Sequence, residues 1–233
     1  MPVSDSTRAS TRTRPVLATL VLAATSLAAG AAWPMDRFEL VGSARKYQDT
    51  LQLTDWNTYE AGAIWAHHPL RLDRSFTVQF TFSLRAAHRV PPQADGIAFV
   101  IQTDGRHALG ANGGSIGYQG LHGVASVVQT WINNHVGFSL DGNPYDAPAA
   151  PADLGAATLV VGEETVTYDS ASHVLAMTGR LKVDGVGYDI GDSRDVDLVA
   201  LLGASEAFMG FTGGTGAVES DQRIRSWSFR YTS

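Results

Sequence analysis

Four loops carry side chains that could do chemistry, and each joins glycine to small polar groups beside a strongly apolar segment. The first is Ala94-Asp95-Gly96, which leads into Ile97-Ala98-Phe99-Val100-Ile101. The second runs from Gly110 to Tyr118 as G-A-N-G-G-S-I-G-Y, and the third from Gln129 to Gly137 as Q-T-W-I-N-N-H-V-G. The last is Phe211-Thr212-Gly213-Gly214-Thr215-Gly216-Ala217. Together they offer a carboxylate, amides, an aromatic face and backbone N–H groups. A polyhydroxylated ring needs such a set: acids and amides take hydroxyl pairs in fixed geometry, and an aromatic covers the ring's apolar face. Glycine lets the backbone come close. Taken singly, each residue has a plainer reading. Asp95 suits an ordinary turn, Gly114 a hairpin, Trp131 a core position, and Asn133-Asn134 a turn.

Covalent catalysis finds less support. Retaining glycoside hydrolysis needs two carboxyl groups about 5–5.5 Å apart. The tightest acid pairs are Glu163-Glu164, Asp195/Asp197 and Glu219/Asp221. Adjacent acids on a strand point to opposite faces, and the other two pairs fall in a polar turn and in the loop before the last strand. The string G-x-S-x-G occurs at 113–117, but a nucleophile elbow needs a helix after the serine, and no helical pattern follows Gly117. No G-x-x-x-x-G-K-[ST] phosphate loop is present. With no cysteine, thiol catalysis, thiolate zinc sites and haem attachment are excluded. The protein is read as not an enzyme, and no cofactor is expected.

The elements that must position these loops are strands. From Phe76 to Leu84, Phe76, Val78, Phe80, Phe82 and Leu84 alternate with Thr77, Gln79, Thr81 and Ser83, a period of two with one face in a core. Gly96 to Gln102 is nearly all apolar, as in a strand buried on both faces. Further strands are expected at 124–131, 136–140, 165–168, 173–177, 179–183, 188–190, 209–212 and 224–231. Asp169 to Ser172 and Asp184-Gly185 serve as hairpin turns. Asp195 to Gly203 suits a turn or two of helix. Many short strands with Gly and Pro punctuation predict an all-β sandwich or barrel.

The first 31 residues look like an address. Arg8, Arg12 and Arg14 precede an apolar stretch from Val16 to Leu27, and Ala29-Gly30-Ala31 fits a signal-peptidase site. Residues 1–31 are therefore expected to be a removable signal peptide, and 33–233 one exported domain. The protein is expected to be secreted, extracellular or periplasmic. Loss of three Arg and one Asp takes the formal charge from −6 to −8. An acidic chain without a basic stripe has no electrostatic footprint for nucleic acid. No apolar run reaches the roughly 20 residues of a membrane span. About 200 residues can bury enough surface to fold without disulfides.

The ordered set of motifs resembles the legume (L-type) lectin family, and in particular a bacterial-type member. That family has an A-D-G-[IL]-A-F strand entry, a G-G-x-[IL]-G turn and an aromatic-x-Asn strand end. An H-[IV]-G strand, G-F-[ST]-x-x-T-G and a terminal S-W-S-F follow. Matching segments stand here between residues 94 and 229, in that order. Phe38 to Ala44 and Leu51-Gln52-Leu53-Thr54 resemble its opening. The resemblance implies an antiparallel, concanavalin-like jelly-roll β-sandwich. It also implies sugar contacts at Asp95 (carboxylate, after a cis Ala94–Asp95 bond), Gly114 (backbone N–H), Trp131 (stacking), Asn133 (amide) and Ala217 (backbone N–H).

One part of the pattern is broken. The family's calcium and transition-metal ligands come from E-x-D-x-aromatic-x-N, a later Asp, and the His of H-[IV]-G. Val127 and Gln129 stand where the first two acids belong, and Asn133-Asn134 runs directly into His135. Asn133, His135 and the Trp131 carbonyl do not make the six to eight oxygens that calcium takes. The metal pair is expected to be absent. Asp141, Asp146 and Asp153 lie downstream without a recognised spacing. The expected function is non-catalytic binding of a saccharide or glycoconjugate, with self-association open. The alternative is a lectin-fold module that has lost sugar binding and serves as a structural or protein-interaction domain at the cell surface.

Overall fold

A computed structural model describes residues 38–232, and the proposed signal segment lies outside them. Fourteen strands and one short helix follow in order. The strands are β1 (Phe38–Gly42), β2 (Arg45–Tyr47), β3 (Thr50–Thr54), β4 (Ala61–Ala66), β5 (Leu70–Arg71), β6 (Phe76–Ala86) and β7 (Gly96–Gln102). Next come β8 (Gly123–Gln129), β9 (His135–Ser139), β10 (Leu159–Asp169), β11 (Val174–Val183) and β12 (Val186–Asp195). Helix α1 (Leu198–Leu202), β13 (Glu206–Gly214) and β14 (Ser220–Tyr231) complete the order. One sheet has the order β1-β4-β13-β7-β8-β9, with β5 beside β13, and the other β12-β11-β10-β6-β14-β3-β2. Every pairing is antiparallel. The expected sandwich is observed.

The period-two pattern of β6 explains its place at the centre of the second sheet. Phe76, Val78, Phe80, Phe82 and Leu84 are all buried in the inter-sheet core. Phe80 meets Phe99 and Phe211 of the facing sheet at ring-centre distances of 5.7 and 5.1 Å, the second edge-on. Phe211 in turn meets Trp227 edge-on at 5.8 Å. Such tilted pairs fill the space between two sheets without voids.

β7 occupies the residues that its apolar run predicts, and it is buried on both faces for a specific reason. Ile97, Phe99 and Ile101 point into the inter-sheet core, whereas Ala98 and Val100 join a second cluster with Trp65, Val127, Ile116, Tyr118 and Ala147. The long 103–122 connection thus folds back over the outer face of its own sheet. Its glycine-rich segment is anchored by apolar packing.

The structure differs from expectation at β11. The sequence reads as two strands, 173–177 and 179–183, with Thr178 between them, but a single strand runs from 174 to 183 and pairs with β10 and β12 along its length. Gly179 lies opposite Glu164, and a Cβ there would clash with the Glu163 carbonyl and stand 3.1 Å from the Glu164 Cγ. The glycine makes room for the β10 backbone and does not turn the chain. The hairpin at Asp184-Gly185 is present, with Asp184 at φ 45° and Gly185 at φ 91°.

Register brings the chemically equipped loops together. Ala61 pairs with Gly214, Gly214 with Gly96, Gly96 with Gln129, and Gln129 with His135. The ends of β4, β13, β7, β8 and β9 therefore stand abreast in one row. The loops leaving that row carry the candidate residues.

Candidate functional site

Asp95 lies at the middle of the row. The Ala94–Asp95 peptide is cis, and both backbone groups of Asp95 are used: its N–H donates to the Gly214 carbonyl (2.9 Å), and its carbonyl accepts from the Thr130 N–H (2.8 Å). The strand ends on either side thus fix its position. The side chain is buried, and burial pushes its carboxyl up to about 6, partly offset by a hydrogen bond from the Gly216 N–H. Its Oδ2 is buried without a hydrogen-bond partner, and no cation pairs with it among the described residues. A buried acceptor left open in this way is unusual, because the desolvation it suffers is normally offset by a bond.

Two glycines face that oxygen. A Cβ on Gly216 would stand 3.1 Å from Asp95 Oδ2 and 3.5 Å from the Gly113 Cα. One on Gly113 would lie 4.0 Å from the same oxygen. Gly113 is in the left-handed region at φ 62°, and its N–H donates to the Thr215 carbonyl at 3.0 Å, which ties the two loops together. A side chain at Gly216 would crowd the carboxylate. No acceptor among the described residues takes the N–H of Gly114 or Ala217. Asp95, Gly114 and Ala217 are thus in the loops that meet here, and so are Gly113 and Gly216, which the motifs did not mark as contacts. The doublet Gly113-Gly114 was the available signal, but only contact across the loops shows which glycine lies against the carboxylate.

The third loop contributes differently from expectation. Trp131 leaves the strand and is 38% exposed, available as a stacking face. Ile132, Asn133 and Asn134 all have left-handed backbones, at φ 48°, 65° and 45°. Asn133 is exposed, and its side chain makes no hydrogen bond within the described residues. Asn134 is the anchored member of the pair. Its Oδ1 accepts from the N–H groups of Leu154 (2.9 Å) and Gly155 (3.0 Å), and its carbonyl accepts from the Ala150 N–H at 2.8 Å.

The positions of the missing metal ligands are filled by other interactions. Val127 is fully buried against the second apolar cluster, which includes Ala147 and Ile116. Gln129 donates from Nε2 to the Gly114 carbonyl at 2.9 Å. His135 Nδ1 lies 2.7 Å from the Ala147 carbonyl, so that nitrogen carries the proton. Its ring meets Tyr145 edge-on at 6.0 Å, and the Tyr145 hydroxyl lies where a Cβ on Gly114 would point. A calcium and transition-metal pair needs several anionic oxygens. A buried valine and a neutral amide stand where the anionic oxygens belong, and His135, whose Nε2 stays open, is a single neutral donor, so the set does not fit the pair. Among the described residues, no three His, Asp or Glu side chains group to hold a metal ion.

Tyr145 is a further aromatic at the site that sequence reasoning missed. It sits in a 3₁₀ turn at Pro144–Asp146, capped by the Asn143 side chain, which accepts from the Tyr145 N–H. No motif marks it, because its place beside Gly114 follows from how the 141–149 loop packs on β8 and β9.

The chain matches the family described as Legume lectin domain over residues 34–233. Among solved structures, it is similar to a lectin from Bauhinia forficata in complex with GalNAc, with 26% identity and a TM-score of 0.69 over 86% of this chain and 95% of that one. Arcelin-5, a lectin-like defense protein from Phaseolus vulgaris, superposes with a TM-score of 0.72 at 21% identity, covering 87% and 96%. The seed lectin of Lotus tetragonolobus gives 0.72 at 21%, covering 85% and 94%.

Proposed function

The chain belongs to the legume lectin family, and we propose that it binds saccharide non-catalytically at the Asp95 loop cluster without the family's metal pair. The observation that carries this reading is the Asp95 carboxylate. It is buried, has one oxygen unpartnered, and faces Gly113 and Gly216, whose next residues, Gly114 and Ala217, keep their N–H groups open. A sugar hydroxyl pair supplies the missing donors, and its other oxygens accept from those N–H groups. Trp131 offers a stacking face on the β8 side. Asn133, exposed and free of internal bonds, supplies an amide at the rim.

Bracing is local in this reading. Gln129 holds the Gly114 carbonyl, Asn134 fixes the following loop, and Val127 packs into the apolar cluster beneath. These contacts replace the ordering that metals bring elsewhere in the family. We further propose that the protein acts outside the cytoplasm after residues 1–31 are removed; the support is the Arg-led apolar segment ending at Ala29-Gly30-Ala31. No helix among the described residues is long and apolar enough to cross a membrane.

The test is a glycan screen run with and without a chelator. N-acetylgalactosamine heads the probe set because the Bauhinia forficata structure holds GalNAc. Saccharide binding with unchanged affinity after chelation is the expected result. Loss of binding on chelation would overturn the metal-free reading. Absence of binding to every glycan would favour a module that has given up sugar, a reading that the Tyr145 hydroxyl lying against Gly114 also suits.

A further inference from the structure

The 55–60 loop between β3 and β4 rises from the same row of strand ends and takes no part in the site described above. Tyr59 in that loop is 66% exposed and has a left-handed backbone at φ 57°. A bulky residue in that region costs free energy and persists only where its surroundings hold it there. The surroundings here are the two glycine loops of the Asp95 pocket. The Tyr59 N–H donates to the Gly216 carbonyl at 2.8 Å, and its carbonyl accepts from Asn112 Nδ2 at 2.9 Å. Glu60 and Thr215 exchange two further bonds, each 3.0 Å, and Thr215 Oγ1 donates to the Asn57 carbonyl at 2.8 Å.

Gly216 therefore has two partners of interest. Its N–H meets the Asp95 carboxylate, and its carbonyl meets Tyr59. The Tyr59 backbone is one residue away from the pocket floor and rigidly placed, yet its ring packs on no other aromatic among the described residues. Trp56, three residues earlier, differs: its ring stacks on His88 at 6.2 Å. Tyr59 is therefore an uncovered ring on a backbone that is already fixed, so stacking on it orders only the side chain.

Geometry gives the size of the ligand. Tyr59 rises from the β4 side of Asp95 and Trp131 from the β8 side, and β13 and β7 lie between them. Three steps at about 4.8 Å place the two loop bases roughly 14 Å apart, more than one pyranose ring covers. We infer that Tyr59 forms a second subsite, so that the protein takes a saccharide chain of at least two rings, one at Asp95 and the next stacked on Tyr59. This rests on the Asp95 cluster being a saccharide site.

The experiment is calorimetric titration with N-acetylgalactosamine, galactose and mannose, each as free monosaccharide and as the terminal ring of a di- and trisaccharide. Wild-type protein should bind the longer forms of its preferred sugar about tenfold more tightly than the monosaccharide. Tyr59→Ala should remove that gain and leave monosaccharide affinity within about twofold, while Tyr59→Phe keeps it. Tyr59→Asn, whose side chain tolerates the left-handed backbone, should behave as Tyr59→Ala and controls for loop disruption. Monosaccharide binding with no gain on lengthening overturns the second subsite alone. So does a Tyr59→Asn variant that keeps the gain or loses monosaccharide affinity equally. No binding of any probe overturns the second subsite together with the saccharide reading on which it rests.

Discussion

An Asp95→Asn protein should bind saccharide about 100-fold more weakly than the parent while unfolding at the same temperature or higher. The two effects have one cause. The carboxylate is buried, has no cationic partner, and leaves Oδ2 without a donor. Two hydroxyl-to-carboxylate hydrogen bonds, at about 1.5–3 kcal/mol each, account for roughly 3 kcal/mol of affinity even when partly lost, or about 100-fold. Asparagine keeps the shape and can still accept from the Gly216 N–H, but one of its two heteroatoms becomes a donor. The fold, relieved of an unpaired buried charge, loses nothing. A pH series separates this from general damage. Because burial holds the Asp95 carboxyl near 6, the parent's affinity should be full above that value and fall by up to about tenfold per pH unit below it. The residual affinity of Asp95→Asn should be flat over the same range. Equal affinity of parent and variant at pH 8 would remove Asp95 from the site.

Much of this architecture is legible in the residues, and the exceptions share a cause. β7 runs over the residues that its apolar stretch marks, because a strand buried on both faces writes its burial locally. Glu163 and Glu164 do point to opposite faces, one exposed and one buried. What local pattern cannot show is which distant segments meet. Gly96 pairs with Gly214 across more than 100 residues, and the contact between Gly113 and Gly216 exists only once that register is set. Tyr59 and Tyr145 reach the site from loops with no motif, positioned by hydrogen bonds to Gly216 and Asn112 in one case and by packing on His135 in the other. Val127 reads in sequence as a lost ligand. That it instead joins Ile116, Tyr118 and Ala147 in a second core depends on the long loop folding back over its own sheet. Thr178 reads in sequence as a gap between two short strands, whereas β11 runs through it, and the following Gly179 lets the β10 backbone at Glu163 come close.

Glu164 leads to the second large effect: Glu164→Gln should be more stable than the parent by about 3 kcal/mol at pH 8 and equal to it near pH 4. The side chain points from β10 into the space between the sheets. Ser126 Oγ of the opposite sheet donates to its Oε2 at 2.8 Å, and its Oε1 has no partner. Burial pushes the carboxyl up to about 7, with the Ser126 bond lowering it only in part. An unfolded glutamate titrates near 4.5. Below that value both states hold the proton and pH has no effect. Between about 4.5 and 7 the unfolded chain releases its proton while the folded chain keeps it, so stability falls by up to about 1.4 kcal/mol per unit. Above about 7 both are ionised and the loss is complete. Glutamine imitates the protonated acid and should flatten this limb. Urea titrations of the two proteins between pH 4 and 8 measure the difference, and parallel curves would show that Glu164 does not titrate as its burial requires. Asp95 adds a similar slope at lower pH in both proteins and cancels in the comparison. The same two acids then set opposing demands. Each of them favours the fold when protonated, whereas the sugar site needs Asp95 ionised, so binding should be strongest in a pH range where these two groups have already taken part of the sandwich's stability.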